Sequence, residues 1–203
     1  MKLLLHPLAI RIFHWILVLS VTYLVITGLY LHDPKGNLPF GLLRKTHTLV
    51  GMMLIINLLG QIYYYSITGK YTEVLFTRRD IPNLRSFFRY TLFITANHPN
   101  YGRYNPGQKG LFTIWVLAIM LSGLAALPHL LPEYASWLSR PLGGLMGTRV
   151  IFYAITMLFL ATIPLHVYLV FTEDPAKLQA MFSGYLRQEP KDKAPASERT
   201  DSR

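Results

Sequence analysis

The sequence predicts an all-α membrane protein, a bundle of four transmembrane helices with both termini cytoplasmic, and three observations carry that prediction. Hydrophobic residues make up 52% of the 203-residue chain, and they are gathered into blocks rather than spread with the period of a soluble domain. Four blocks, residues 8–31, 47–67, 110–131 and 149–172, each have about the 20 residues that cross ~30 Å of hydrocarbon at ~1.5 Å per residue. Lysine and arginine are distributed unevenly. Fifteen fall in the N-terminal segment, the 68–109 connection and the C-terminal tail, against five in the 32–46 and 129–149 connections. By the positive-inside rule the richer side is cytoplasmic. The net charge of +10 is therefore explained by topology, and a nucleic-acid partner is not expected.

Taken in order, the first span, "LAIRIFHWILVLSVTYLVITGLYL", is too long for a signal peptide. It also contains Arg11 and His14 and lacks a small-residue cleavage site, so it reads as a retained helix. The turn-like "HDPKGNLP" closes it. The second span begins near "RKTHTLVG" and ends in "QIYYYS", a tyrosine cluster of the kind found at membrane interfaces. In the 68–109 connection, "DIPNLRSFFRYTLFI" alternates arginines with aromatic and aliphatic residues. It reads either as an amphipathic helix lying in the cytoplasmic interface or as a simple loop. "NHPNYGRYNPGQKG" leads into the third span, which "LPHLLPEYASW" closes with two prolines. The fourth span is "RVIFYAITMLFLATIPLHVYLV". Residues 1–185 form one domain, followed by a basic tail over 186–203 with few apolar residues, expected to be disordered. There is no internal repeat.

The chain has no cysteine. That excludes structural disulfides, thiolate-held iron–sulfur clusters and the C-x-x-C-H attachment of c-type haem. A metal or haem would have to be held by His, Met, Tyr or carboxylates.

Seven histidines are present: His6, His14, His32, His47, His98, His129 and His166. His6, His32, His98 and His129 fall outside the spans or at their edges and are expected at headgroup level or in solvent. The other three lie inside spans or open them, where an ionisable side chain is costly and usually functional. With a cytoplasmic N-terminus, His14 lies six residues from the inner end of span 1, and His166 lies six residues from the inner end of span 4. Two imidazoles at one depth on neighbouring helices can ligate a b-type haem from both sides, which removes the cost of an orphan ring nitrogen in lipid. The alternative is that both snorkel or bond to backbone carbonyls. His47 belongs to the outer half. A matching ligand on span 4 would stand 14 residues before His166, ~21 Å of rise and nearly four turns away on the same face. That position holds Phe152.

The motifs "HPLAIRIFHW", "RKTHTLVG", "RYNPGQKGLF" and "HVYLVFTEDPAKLQAMFSGY", in this order and spacing, resemble the four-helix cytochrome b membrane subunits. These serve nickel–iron hydrogenases, respiratory formate dehydrogenases (as gamma subunit) and thiosulfate-reductase-type enzymes. The resemblance spans residues 6 to about 185. It implies two b haems, one near each face, a prokaryotic inner-membrane location, iron–sulfur and catalytic partner subunits, and electron exchange with quinone. It implies a homo-oligomer of the whole complex as one further possibility. It makes His14 and His166 the inner haem pair, His47 one outer ligand and Asn105 a quinone contact. The residues alone would read Asn105 as a turn-former before Pro106. The outer partner in the family is a histidine where this chain has Phe152. Phenylalanine cannot ligate iron, so the outer haem is absent, five-coordinate on His47, or held by a substitute from His129, Met146, Tyr153 or Met157.

Basic residues near the inner face (Arg11, Arg103, Lys109) and the outer face (Arg44, Lys45, Arg149) are candidates to balance haem propionates or a quinone anion. Two rivals remain: a haem-free anchor for a catalytic subunit, and a small transporter. The transporter should show inverted repeats or carboxylates within its spans, whereas Asp and Glu here are confined to connections and tail.

Overall fold

The computed structural model describes residues 2–95, 101, 103–172 and 175–187. A short strand β1 (Lys2–Leu4) precedes α1 (Leu8–His32) and α2 (Phe40–Ile67). A one-turn α3 (Tyr71–Val74), a 3-10 turn at Arg78–Asp80 and α4 (Ile81–Thr91) follow. Then come α5 (Pro106–Leu130), the one-turn α6 (Pro132–Ala135), a 3-10 segment (Ser136–Leu142), α7 (Gly144–Thr172), α8 (Pro175–Ser183) and β2 (Tyr185–Arg187). The four long helices α1, α2, α5 and α7 are each long and apolar enough to span a membrane. All four run beyond their apolar blocks. Spanning requires only about 20 apolar residues, but an interfacial helix end keeps its backbone hydrogen-bonded as well, so "FGLLRKT" forms the first two turns of α2.

The spans form a ring in which α1 touches α2, α2 touches α5, α5 touches α7, and α7 closes on α1. Each contributes to one core of Val21, Leu54, Leu58, Ala118, Ile119 and Phe159. Outside this core large apolar side chains such as Leu19, Ile26, Ile56 and Leu117 are exposed on every span, the surface a bilayer covers. Glycine permits close approach of the helices, as where Gly60 meets the ring of Phe13.

The expectation that two prolines close the third span is half right. Pro128 sits inside α5, and the helix continues to a last bond from Leu131 N–H to Leu127 O at 2.8 Å. Its missing N–H removes one bond but does not end a helix supported by neighbours. Pro132 marks the true stop by opening α6. Beyond it, Gly143 and Gly144 adopt φ of 82° and 76°, a left-handed pair that turns the chain into α7. Three residues on, a Cβ at Gly147 would fall on the Leu142 carbonyl oxygen. We expect Gly147→Ala to destabilise the protein by about 1–3 kcal/mol, measured by thermal unfolding in detergent, because backbone rather than a side-chain tip must move.

Of the two readings for 80–94, the helix is realised. α4 turns Phe87 onto Gly107 at the start of α5, and leaves Ile81, Phe88 and Leu92 exposed. It ends with Phe93 at φ 59° and an Ile94 N–H to Arg89 O bond at 2.8 Å, a Schellman-type closure with phenylalanine at the usual glycine position.

The N-terminal segment meets the segment after α8. β1 and β2 pair antiparallel, Lys2 opposite Arg187 and Leu4 opposite Tyr185, so the N-terminal segment and the segment after α8 lie on one side of the bundle. Arg11 donates to Met181 O at 3.2 Å and to Phe182 O, and Trp15 Nε1 donates to Met181 O at 3.4 Å. These bonds satisfy carbonyls at the end of α8. Beyond Arg187 the basic tail lies outside the described residues, as does His98.

Candidate functional site

The half of the bundle that carries His14 and His166, inner on the orientation expected from charge, is built first from α1 and α7, which are in contact. His14 and His166 lie within electrostatic reach of each other. His166 is set between aromatic rings of α5, with centroids 5.9 Å from Phe112 and 5.3 Å from Trp115. Trp115 is held in turn by its Nε1–H bond to Thr162 Oγ1 at 2.8 Å. His14 packs edge-on to Trp15 at 5.2 Å, and its Nδ1 is buried with no hydrogen-bond partner. Two more orphaned atoms lie on the adjoining stretch of α2, Asn57 Oδ1 and Gln61 Nε2. Asn57 donates its amide to Phe13 O at 3.1 Å, beside His14. Orphaned polar atoms in a span are expensive. Their concentration around His14 marks the inner half as a place where protein alone does not complete the bonding.

Arg103, Lys109 and Arg11 are engaged with protein groups. Arg103 donates to Leu5 O at 2.9 Å and His6 Nδ1 at 2.8 Å and pairs with Glu73 at 3.2 Å. His6, expected in solvent or at headgroup level, is 1% exposed, where Arg103 of the 68–109 connection satisfies its ring nitrogen. Burial pushes the neighbouring Tyr104 phenol up, against the opposing pull of Arg103. Lys109 binds Asp80 at 2.8 Å and Thr72 O at 3.1 Å. Arg11 holds the end of α8 as described.

Asn105 is the N-cap of α5. Its Oδ1 accepts from Gln108 N–H at 2.8 Å, and the Gln108 side chain returns a bond to Asn105 N–H at 3.1 Å. Asn at N-cap, Pro106 at N1 and Gln108 at N3 form a complete capping box. That signal was readable in "NPGQ" and is more specific than a turn before proline. Gly107 in the same motif is required where Phe87 of α4 lands.

In the outer half, His47 of α2 is bonded through Nδ1 to Thr27 Oγ1 of α1 at 2.7 Å. One residue on, a Cβ at Gly28 would lie 3.5 Å from His47 Cε1 and 3.6 Å from Thr156 Oγ1 of α7, so the ring approaches α7 across the α1 backbone. Phe152, one turn before Thr156, lies with its ring 5.9 Å from that of His129. His129 Nε2 bonds Thr148 Oγ1 at 2.7 Å, and Thr148 is fully buried. His129, in the last turn of α5, is thus partnered to α7 through its side chain. Tyr153 stacks on His32 at 4.4 Å, and Met146 is exposed. Of the four substitute donors weighed from sequence, His129 has its ring beside that of Phe152.

Among the described residues no three His, Asp or Glu side chains converge as a direct metal site. A haem needs no such cluster, since the porphyrin supplies four nitrogens and the protein only axial donors. The inner pair fits a haem by donor chemistry and by the orphaned Nδ1 of His14. The outer half offers His47 and, at the matching position on α7, an apolar ring.

Fold and site together define a class: a multi-pass membrane cytochrome of b type. The chain belongs to the prokaryotic cytochrome b561 family, which it matches over residues 5–184. It is 27% identical over 201 residues to a probable Ni/Fe-hydrogenase B-type cytochrome subunit of Azotobacter chroococcum, covering 86% of this chain and 82% of the relative. It is 25% identical over 204 residues to the protein of that description from Cupriavidus necator, covering 87% and 83%. An Azotobacter vinelandii protein, also so described, is 27% identical over 201 residues, covering 86% and 82%. The chain is accordingly a haem b electron-transfer subunit of a prokaryotic membrane.

Proposed function

We propose that this chain is the cytochrome subunit of a respiratory oxidoreductase complex of the inner membrane. It passes electrons between an iron–sulfur or catalytic partner and the quinone pool, and the relatives' descriptions favour a nickel–iron hydrogenase as that partner. The observation that carries the reading is the pairing of His14 and His166 on touching helices, with an orphaned buried nitrogen on His14. When bound, haem b supplies one-electron chemistry between ferrous and ferric iron. The protein's part is to hold two imidazoles at one depth, to enclose His166 with Phe112 and Trp115, and to keep water from the iron. Asn105, at the inner mouth of α5, is assigned to quinone through its side-chain amide. Both termini and α4 are assigned to the cytoplasmic side, with Arg85 and Arg89 at lipid headgroup level.

The outer haem is assigned to His47 without a second histidine. A reduced-minus-oxidised spectrum with haem counted per chain tests both assignments. The expected spectrum combines a six-coordinate low-spin b haem with a high-spin component, and Phe152→His should convert the second to low-spin. A preparation with no b-type absorption would instead identify a haem-free anchor.

A further inference from the structure

The proton count around Thr27 is closed. Its hydroxyl donates to Tyr23 O one turn earlier on α1, at 2.7 Å, and a carbonyl can only accept. The single hydroxyl proton is therefore used, and the 2.7 Å contact with His47 Nδ1 must have the ring nitrogen as donor and Thr27 Oγ1 as acceptor. A neutral imidazole carries one proton. With that proton on Nδ1, the lone pair is on Nε2. A second pair of side chains secures the same junction. Thr46 Oγ1 donates to the Leu42 and Leu43 carbonyls at 3.1 Å, so Tyr23 Oη donates to Thr46 Oγ1 at 2.6 Å. Tyr23 and Thr27, four apart on α1, thus grip the adjacent Thr46 and His47 on α2. Thr27 is 5% exposed, so water does not compete for the bond.

We propose that Thr27 is the positioning residue of the outer site: it holds His47 in the Nδ1–H tautomer and presents Nε2 as the one protein donor to a haem iron there. This rests on the reading of His47 as a haem ligand. A ligand histidine whose other nitrogen donates a hydrogen bond is oriented and made more basic by it. Thr27 also differs from the usual carboxylate or backbone carbonyl in that role. Its acceptor strength is set by the Tyr23 carbonyl behind it. Phe152 stands at the position of the expected second histidine and supplies no donor, so a haem there would take its histidine ligation from His47 alone.

Resonance Raman of the reduced holoprotein isolates this site, because an iron–histidine stretch arises from five-coordinate high-spin haem and not from the six-coordinate inner haem. We expect the band in the wild type and in Thr27→Ser. In Thr27→Val, which keeps the shape and loses the acceptor, the band should move to lower frequency and the outer midpoint potential should rise. Loss of the outer haem in Thr27→Val alone, with retention in Thr27→Ser, supports the same conclusion. An unchanged band and potential in Thr27→Val, or loss of the haem in both variants, overturns it. The underlying reading fails separately: absence of the band in the wild type removes the five-coordinate outer haem, its persistence in His47→Ala removes His47 as a ligand, and either takes the role of Thr27 with it.

Discussion

Replacing His166 with alanine should abolish the inner b haem and lower the haem content by one per chain. On the proposed assignment the ring nitrogen of His166 is one of two axial donors, and its neighbours Phe112 and Trp115 have nothing to offer iron in its place. Helix α7 should still form, since Leu158, Phe159 and Ile163 keep it in the common core. The difference spectrum of the purified variant should lose its low-spin bands, and His14→Ala should do the same. Imidazole added to His166→Ala should restore part of the low-spin signal by filling the vacated volume. His32→Ala is the control, because that ring stacks on Tyr153 at the opposite end of α1. An unaltered spectrum in His166→Ala would refute the ligand assignment.

Asp80→Ala should be the most destabilising of the substitutions away from the histidines, by about 3–5 kcal/mol, the usual result of leaving a buried charge without its partner. The Lys109 and Asp80 side chains are 14% and 9% exposed and 2.8 Å apart. The carboxylate also accepts from Thr77 N–H and Thr77 hydroxyl at 2.8 Å each. Removing both charges in Asp80→Ala/Lys109→Met should recover most of the loss, which thermal unfolding in detergent would measure. Burial would raise the Asp80 pKa, but the hydrogen bonds from Lys109 and Thr77 outweigh it and hold the carboxyl below the ordinary aspartate value. The sign follows from that depression. The clamp contributes fully above the unfolded pKa of ~3.9 and is lost as pH falls through the lower folded value. Stability from this pair should therefore be flat at neutral pH and decline only in acid, and Asp80→Asn should remove that acid dependence.

Much of the architecture was legible because a bilayer leaves a chain few options. Backbone polar groups inside lipid must bond within the segment, so an apolar block of the right length is a helix whatever it packs against. That is why four blocks became α1, α2, α5 and α7. His14 and His166 could be matched in depth by counting, since rise per residue is constant and the two spans run in opposite directions. The absence of a histidine at position 152 was legible in the same way.

Helix faces and loops were not legible. Periodicity tells inside from outside in water, but in these spans the lipid face is as apolar as the core, and the exposed Leu19 and the buried Val21 look alike in sequence. Nothing in the sequence therefore placed Phe112 and Trp115 around His166, or set Thr27 against His47. His6 was misjudged for a related reason. Its burial depends on Arg103, 97 positions away, brought to it by a connection whose path no local pattern dictates.

By itself the sequence determined the number of spans and their helical state, because these follow from length, composition and the hydrogen-bond requirement of a lipid interior. Only the tertiary structure decided which proton His47 keeps, which nitrogen it presents, and which basic residues are already paired, because those are matters of 2.7–3.2 Å contacts between helices and loops remote in the chain.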